Sequence, residues 1–246
     1  MNALSIDINA DLGEGIGNEA QLMPFISSCN IACGGHAGSL EIIKEVVALA
    51  KKHEVKIGAH PSFPDRENFG RIDMDMSCAD LYTSLKQQIS VLLRALSNAS
   101  LNLHHIKPHG ALYNKAAKDE KTALVIIEVV KSMPLPVKLY APYNSVIANC
   151  ALAESIPVCF EGFADRHYND DLSLVSRKES YAIIEDSKEV FEHVFRMISQ
   201  QKIMTKNRIE ASIKVDTICV HGDTPNSVNI ARNLYWELCH NNVQIQ

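Results

Sequence analysis

The sequence predicts a seven-stranded (β/α) barrel. Apolar, strand-like stretches alternate with helix-like stretches seven times along the 246 residues, and this alternation is typical of parallel strands joined by helical crossovers. The length is close to the about 250 residues that such barrels commonly need. Polar residues of the kind that take part in chemistry follow at least five of the strands. Because a barrel brings the carboxyl ends of its strands to one rim, we expect these residues to meet in a single active site.

The predicted strands are short apolar stretches that end at polar or turn-forming residues. They cover residues 4–9, 28–33, 55–59, 103–107, 137–140, 157–161 and 215–220. The rival architecture, an open doubly wound sheet, favours a GxGxxG turn after the first strand, and Gly13, Gly15 and Gly17 do not make that pattern. The sequence also contains no GxxxxGK[ST] motif. Any nucleotide is therefore expected to be bound by other means or by a partner.

Apolar residues at helical spacing predict the helices between these strands, and capping residues predict where several of them begin. Ser39 and Ser77 are the expected N-caps of the helices after the second and third strands. Thr224 followed by Pro225 predicts the start of the last helix. Further helices are expected near 123–130, 145–154 and 190–198, and a long polar loop at 162–180. No linker divides the chain, so residues 1–246 are predicted to form one domain.

Composition excludes several classes of function. A net charge of −5 and a pI near 6.1 give no basic footprint for nucleic acid. The first residues lack the basic region of a signal peptide, and no apolar run approaches the roughly 18 residues of a membrane helix. Seven cysteines without a CxxC pair indicate buried thiols in a reducing compartment. We expect a cytoplasmic protein, and Cys33 is the only cysteine that is a candidate nucleophile.

Acidic residues crowd the end of the first strand. Asp7, Asn9 and Asp11 share one face of that strand because side chains alternate with a period of two, and Glu14 follows. A hydrogen-bonded turn with solvated acids is one interpretation. A metal or acid–base site is the other, and it is favoured because His36 and His60 close the next two strands. Asp11, His36 and His60 would suit a divalent metal such as zinc.

Cationic and histidine side chains close the later strands. Lys107 and His109 follow the fourth strand, where the lysine could hold an anionic group or form an ion pair with Glu161 or Asp165. Arg166 and Arg177, in the long loop, could clamp a carboxylate. His221 and Asp223 follow the last strand, just before a helix N-terminus that favours anions.

Seven separated motifs resemble the LamB/YcsF family, in order and over nearly the whole chain. They are DINADLGE at 7–14, NIACGGHAG at 30–38, GAHPS at 58–62, FGR at 69–71, KPHGALYN at 107–114, FADRHY at 163–168 and VHGDTP at 220–225. The chain departs from the usual pattern in places. Gly35 stands where a phenylalanine is common, and Ile72 stands where a second arginine is usual. These departures concern the loops, whereas the polar residues at the strand ends remain.

The resemblance implies a seven-stranded barrel similar to the NodB-type carbohydrate deacetylases. It also implies ATP-dependent opening of the 5-oxoproline lactam to L-glutamate, with ATP as co-substrate and 5-oxoprolinase subunits B and C as partners. The catalytic residues are then expected to be Asp11, Glu14, His36, His60, Lys107 and His109. The substrate is expected to be bound by Asn9, Arg71, Asp165, Arg166, His221 and Asp223.

Two other functions stay open from the sequence. One is a stand-alone metal-dependent carbohydrate deacetylase or amidohydrolase built on Asp11, His36 and His60. The other is a non-catalytic subunit that binds substrate and presents it to a partner.

Overall fold

A closed barrel of seven parallel strands forms the centre of the molecule. The computed structural model describes residues 4–246, so Met1, Asn2 and Ala3, on which the expectation about a signal peptide partly rests, lie outside the described residues. The barrel strands are β1 (Leu4–Leu12), β2 (Ser28–Ala32), β3 (Lys56–His60), β4 (His105–Ile106), β5 (Lys138–Pro142), β6 (Val158–Phe163) and β9 (Thr217–His221). They pair in that order, and β9 pairs back onto β1 to close the barrel. The predicted fold class is therefore confirmed.

Helices surround the barrel, and three short strands lie outside it. The helices are α1 (Glu19–Leu22), α2 (Leu40–Lys52), α3 (Cys78–Asn98), α4 (Gly110–Ala116), α5 (Glu120–Lys131), α6 (Val146–Ala153), α7 (Ser187–Gln200) and α8 (Ser227–His240), with a 3-10 turn at Met23–Phe25. Strands β7 (Lys202–Met204) and β8 (Glu210–Ser212) form an antiparallel hairpin, and β10 (Val243–Ile245) pairs in parallel with the start of β1. Among residues 4–246, no helix has both the length and the apolar character needed to cross a bilayer.

Local capping signals explain two helix starts and fail at a third. The hydroxyls of Ser39 and Ser77 accept hydrogen bonds from backbone N–H groups of α2 and α3, as predicted. The prediction of a helix start at Thr224 was wrong, because α8 begins at Ser227 and its N-cap is Asn226, with a φ of 61°. The Thr224 hydroxyl instead donates a hydrogen bond to the buried carboxylate of Asp165. The hydroxyl of Thr224 therefore makes a tertiary hydrogen bond and does not cap α8.

The alternation of β1 separates an apolar outer face from a polar barrel interior. Ile6, Ile8, Ala10 and Leu12 are at most 2% exposed and belong to the hydrophobic core beneath the helices. The other face carries Asp7, Asn9 and Asp11, all buried inside the barrel. Burying polar groups costs free energy unless they are paired, and each of these side chains is hydrogen-bonded. The interior is therefore a polar network that leads toward the rim.

Two glycines make room for buried polar side chains. A Cβ at Gly58 in β3 would lie 2.1 Å from Nε2 of His105, whose ring fills the space over that glycine. A Cβ at Gly35 would lie 2.4 Å from Oε1 of Gln88. The Gln88 amide bonds to both the N–H and the carbonyl of Ser62, at 2.9 Å and 2.8 Å. The side chain of Gln88 therefore occupies the space beside Gly35, where the family pattern commonly has a phenylalanine.

Candidate functional site

A cavity of about 600 Å³ lies at the rim where the barrel strands have their carboxyl ends. Most of the residues predicted to act in catalysis or binding line it: Asp11, Glu14, His60, Arg71, Lys107, His109, Arg166, His221 and Asp223. The other three predicted residues, Asn9, His36 and Asp165, are buried behind this wall. Residues more than 200 positions apart in sequence are therefore side by side, as the barrel rim requires.

Lys107 is buried between two carboxylates. Its ammonium nitrogen lies 2.8 Å from Glu161 Oε1 and 2.9 Å from Asp11 Oδ1, and 3.1 Å from the sulfur of Cys219. Burial alone would lower the pKa of Lys107, but the neighbouring carboxylates of Asp11 and Glu161 raise it well above its usual value. The structure therefore contains the ion pair between Lys107 and Glu161, which was one of the two interpretations of the sequence. The ammonium group of Lys107 compensates the buried negative charge of the two carboxylates.

Asp11 and Glu14 have pKa values shifted in opposite directions. Burial would raise the pKa of Asp11, but the neighbouring His60 and the ammonium group of Lys107 outweigh it and hold that pKa well below its usual value. Burial raises the pKa of Glu14 well above its usual value, and the neighbouring carboxylates of Asp11 and Asp223 add to that effect. The environment therefore favours the anionic form of Asp11 and the protonated form of Glu14 more strongly than water would. Opposite shifts of this kind are typical of acid–base pairs.

Three histidine rings pack around the carboxyl group of Glu14. His36 and His109 stack with ring centroids 3.7 Å apart, and His60 lies edge-on to both rings. Nε2 of His36 lies 3.0 Å from Glu14 Oε1, and Nδ1 of His109 lies 3.4 Å from the same oxygen. Burial, followed by the neighbouring His60, lowers the pKa of His36 to about 2. The cluster is buried and rich in nitrogen and oxygen lone pairs.

Backbone carbonyls determine which nitrogens of His60 and His109 carry hydrogen. Nδ1 of His60 lies 2.8 Å from the carbonyl of Lys107, and Nε2 of His109 lies 2.9 Å from the carbonyl of Phe69. A carbonyl only accepts, so both of these nitrogens are donors. The remaining nitrogens, Nε2 of His60 and Nδ1 of His109, face each other at 2.9 Å with their lone pairs. Such a contact requires a cation between or beside the rings, either a proton or a metal ion.

Glu14, His36, His60 and His109 can each offer one ligand atom, and these atoms lie within 4.8 Å of one another. Three imidazoles and one carboxylate are a donor set suited to zinc and related ions. Metal-binding histidines commonly donate their other N–H to a backbone carbonyl, as His60 and His109 do here. The donor set therefore fits a metal ion. The predicted metal set was Asp11, His36 and His60; Oδ2 of Asp11 lies 3.4 Å from Nε2 of His60, and Asp11 also lies in a second group of possible ligands with Cys219 and His221.

His221 is held by a buried acid at the opposite wall. Its Nδ1 lies 2.8 Å from Oδ1 of Asp165, and the Thr224 hydroxyl donates to the other oxygen of the same carboxylate. Burial would raise the pKa of Asp165, but its interactions with His221 and Thr224 keep that pKa low. Asp165 does not line the cavity, whereas His221 does, so Asp165 can act on a bound molecule only through His221. The pair resembles a histidine oriented for proton transfer by a carboxylate.

Arginines from two loops meet Asp223 at the mouth. Arg71 forms an ion pair with Asp223, and Nη1 of Arg177 lies 3.3 Å from the same carboxylate. Arg166 is used differently, because its guanidinium donates to the backbone carbonyls of Ala182 and Val175 and so fixes the long loop. Arg166 and Arg177, predicted to clamp one carboxylate together, therefore have different partners. Arg177 and Arg71 reach the mouth, and Arg166 lies in the wall.

A hydrogen-bonded chain inside the barrel was missed from the sequence. Nδ1 of His104 lies 3.0 Å from Nδ1 of His105, and Nε2 of His105 lies 2.7 Å from Oδ1 of Asn30. The amide nitrogen of Asn30 then donates to Oδ1 of Asp11 at 2.8 Å. The shared strand face of His105 and Lys107 was the signal that could have revealed His105.

The candidate cysteine nucleophile, Cys33, is a buried thiol. Cys33 is buried, and burial raises the pKa of its thiol to about 12. A thiol with such a pKa is a poor nucleophile at neutral pH.

The fold and the site define a seven-stranded (β/α) barrel with a buried acid–histidine centre at its rim. The chain belongs to the LamB/YcsF family, whose model matches residues 6–246. It is 40% identical over 240 residues to the A subunit of 5-oxoprolinase from Haemophilus influenzae (strain PittEE), with 98% of each chain covered. It is 39% identical over 248 residues to the protein of the same name from Staphylococcus aureus (strain JH9), with 99% of each chain covered.

Solved structures support the same fold. The lactam utilization protein from Thermus thermophilus superposes with a TM-score of 0.92 at 35% identity, covering 99% of both chains. A mutant of the peptidoglycan deacetylase PdaC from Bacillus subtilis matches with a TM-score of 0.51 at 11% identity, covering 99% of this chain and 87% of that one. At that identity the second likeness concerns the fold alone, and it agrees with the predicted similarity to the NodB-type carbohydrate deacetylases.

Proposed function

We propose that this chain is the A subunit of an ATP-dependent 5-oxoprolinase and opens the 5-oxoproline lactam to L-glutamate. The observation that carries the proposal is the pair Asp11 and Glu14, two carboxyl groups of one cavity whose pKa values are shifted in opposite directions. Relatives that are named as the A subunit of 5-oxoprolinase and as a lactam utilization protein support this substrate. Subunits B and C are the proposed partners, and the protein is proposed to act in the cytoplasm.

The reaction needs activation because a five-membered lactam is a stable amide. Transfer of the γ-phosphoryl group of ATP to the lactam oxygen leaves ADP and makes the carbonyl carbon electrophilic. Water then adds to that carbon, the C–N bond breaks, and the ring nitrogen takes up a proton. A second water hydrolyses the resulting acyl phosphate to L-glutamate and inorganic phosphate. The sequence has no P-loop motif, so we place the ATP site with the partner subunits.

The residues of the cavity supply the proton transfers that this scheme requires. Asp11, whose lowered pKa favours the anion, is the proposed general base for water, and Glu14, whose raised pKa favours the protonated form, is the proposed proton donor. A nitrogen of His221 lies within 4.8 Å of an oxygen of Asp11, which places a second proton carrier beside the base. Arg71 and Arg177 at the mouth would hold anionic groups of the substrate or of the transferred phosphoryl group.

The test is an assay of 5-oxoproline turnover with ATP, using the chain alone and the chain with candidate subunits B and C. We expect turnover only with the partners, and a loss of at least about 100-fold in kcat for Asp11→Asn, as is typical for removal of a general base. No turnover with any partner, together with no binding of 5-oxoproline, would contradict the proposal. An Asp11→Asn variant that binds weakly but turns over normally at saturation would indicate a subunit that only presents substrate.

The four-ligand cluster favours a second candidate, a metal-dependent amidohydrolase or deacetylase. Glu14, His36, His60 and His109 would hold the ion, which would polarise a carbonyl and lower the pKa of bound water. Elemental analysis of the purified protein tests this directly. We expect about one zinc or similar ion per chain, lost in His60→Ala together with His109→Ala. A protein without tightly bound metal whose thermal midpoint is unchanged by zinc or by a chelator would exclude this candidate.

A further inference from the structure

A second cavity of about 270 Å³ adjoins the rim cavity. The two share part of their walls, including Tyr113 and Phe163. Glu161 lines only the second cavity, but its Oε1 shares the ammonium nitrogen of Lys107 with Asp11, at 2.8 Å and 2.9 Å. A molecule in the second cavity therefore lies one side chain away from the proposed general base.

Two buried polar atoms face this second cavity without a protein partner. Within the part of the chain that the structure describes, no group meets the distance and angle of a hydrogen bond to Oε2 of Glu161 or to the hydroxyl of Tyr113, although Glu161 is close enough to raise the pKa of that hydroxyl. Glu161 is 1% exposed and Tyr113 is 6% exposed, so neither atom reaches bulk solvent. Leaving such atoms unsatisfied is costly. One of the two atoms is an acceptor and the other is a donor, because burial, followed by the nearby Glu161, raises the pKa of the Tyr113 phenol well above its usual value.

We propose that Tyr113 and Glu161 recognise the cis-amide edge of a cyclic lactam. The ring of a lactam forces the N–H and the carbonyl oxygen onto the same side, so the molecule presents one donor beside one acceptor. The Tyr113 hydroxyl donates to the carbonyl oxygen, and Oε2 of Glu161 accepts from the N–H. An open-chain amide is trans and points these groups in opposite directions. The subsite therefore selects lactams over linear amides, and it deepens the function proposed above, on which it rests, by assigning the residues that choose the substrate.

The experiment measures dissociation constants by calorimetry for three probes: 5-oxoproline, 2-pyrrolidinone and the lactone analogue of 5-oxoproline, which lacks the N–H. We expect Tyr113→Phe to weaken binding of both lactams by about 3- to 10-fold, the usual effect of one neutral hydrogen bond. We expect the wild-type chain to bind the lactone more weakly than 5-oxoproline, and this preference to disappear in Glu161→Gln. Tyr235→Phe on α8 is the matched control and should bind like the wild type.

The outcomes separate the subsite from the proposed function. Equal affinity of wild type and Tyr113→Phe for both lactams would overturn the subsite, and so would equal affinity for lactam and lactone; ordered water would then satisfy the two atoms. Turnover of 5-oxoproline by the wild type with its partners would leave the proposed function standing in that case. Binding of 2-pyrrolidinone that is weakened in Tyr113→Phe, without turnover of 5-oxoproline, would support the subsite and contradict the proposed function. No saturable binding of either lactam would also overturn the subsite.

Discussion

Replacing Gly58 with alanine should destabilise the protein strongly although it adds a single methyl group. The added Cβ would lie 2.1 Å from Nε2 of His105, and 2.4 Å and 2.5 Å from two ring carbons. The ring has no free direction in which to move. It stacks on Tyr140 with centroids 3.8 Å apart, and its Nε2 lies 2.7 Å from Oδ1 of Asn30. The strand cannot retreat either, because Gly58 is paired on both sides, with Asn30 and His105.

The magnitude follows from two separate costs. Overpacking a closed core costs about 1–3 kcal/mol, and breaking the hydrogen bond to Asn30 leaves buried groups unsatisfied at a further cost of about 1–3 kcal/mol. We therefore expect Gly58→Ala to lower the free energy of unfolding by about 4 kcal/mol, which for a chain of this size corresponds to a fall of about 8–16 °C in thermal midpoint. Thermal unfolding followed by circular dichroism measures this.

A second substitution tests the cause. His105→Ala removes the ring that the new methyl group would strike, so Gly58→Ala in that background should cost less than about 1 kcal/mol. A thermal midpoint for Gly58→Ala within about 2 °C of the wild type would refute the reasoning. The same conclusion would follow if the alanine were as costly with His105 absent as with it present.

Three further predictions concern charged groups. Lys107→Met leaves two buried carboxylates without their cation, so urea unfolding should show a loss of about 3–5 kcal/mol, whereas Lys44→Met on the exposed face of α2 should change little. Asp165→Asn removes the anionic partner of His221, so kcat should fall by about 100-fold or more with a smaller change in KM; an unchanged kcat would mean that His221 needs no orientation. Burial lowers the pKa of His104 to about 4, whereas an unfolded histidine titrates near about 6.5. The contribution of His104 to stability should be fully present above about pH 6.5 and be lost as the pH falls toward 4, because in this range the unfolded chain binds a proton at His104 and the folded chain does not. The thermal midpoint of His104→Gln should therefore fall less steeply with pH than that of the wild type.

Much of the barrel could be predicted because its signals are local and periodic. The strand-ending residues Asp11, His60 and Lys107 needed only the rule that strand ends share a rim, and the structure brings all three to one cavity. The strands of the hairpin β7–β8 and strand β10 could not be predicted in this way, since three residues are too few to show a period. The short helix α4 was missed as well, because its seven residues after His109 are too few to show a clear helical period.

The finer roles within the site depend on directions that the sequence does not contain. Arg166 was interpreted as a substrate clamp from its charge, but its guanidinium is turned toward loop carbonyls. Asn30 was missed because an asparagine in a strand carries no chemical signature. Its importance comes from reaching Asp11 on one side and His105 on the other. Such contacts are set by packing across the barrel, and only the folded chain defines them.

The ammonium group of Lys107 is shared between a carboxylate of each cavity, and this makes the two cavities thermodynamically linked. A ligand that draws electron density from Glu161 changes how strongly Lys107 attracts Asp11, and hence the proton affinity of Asp11. Linkage is reciprocal, so the protonation of Asp11 must change the affinity of the second cavity by the same factor. Ligand affinity in that cavity should therefore follow the titration of a side chain that the ligand never touches.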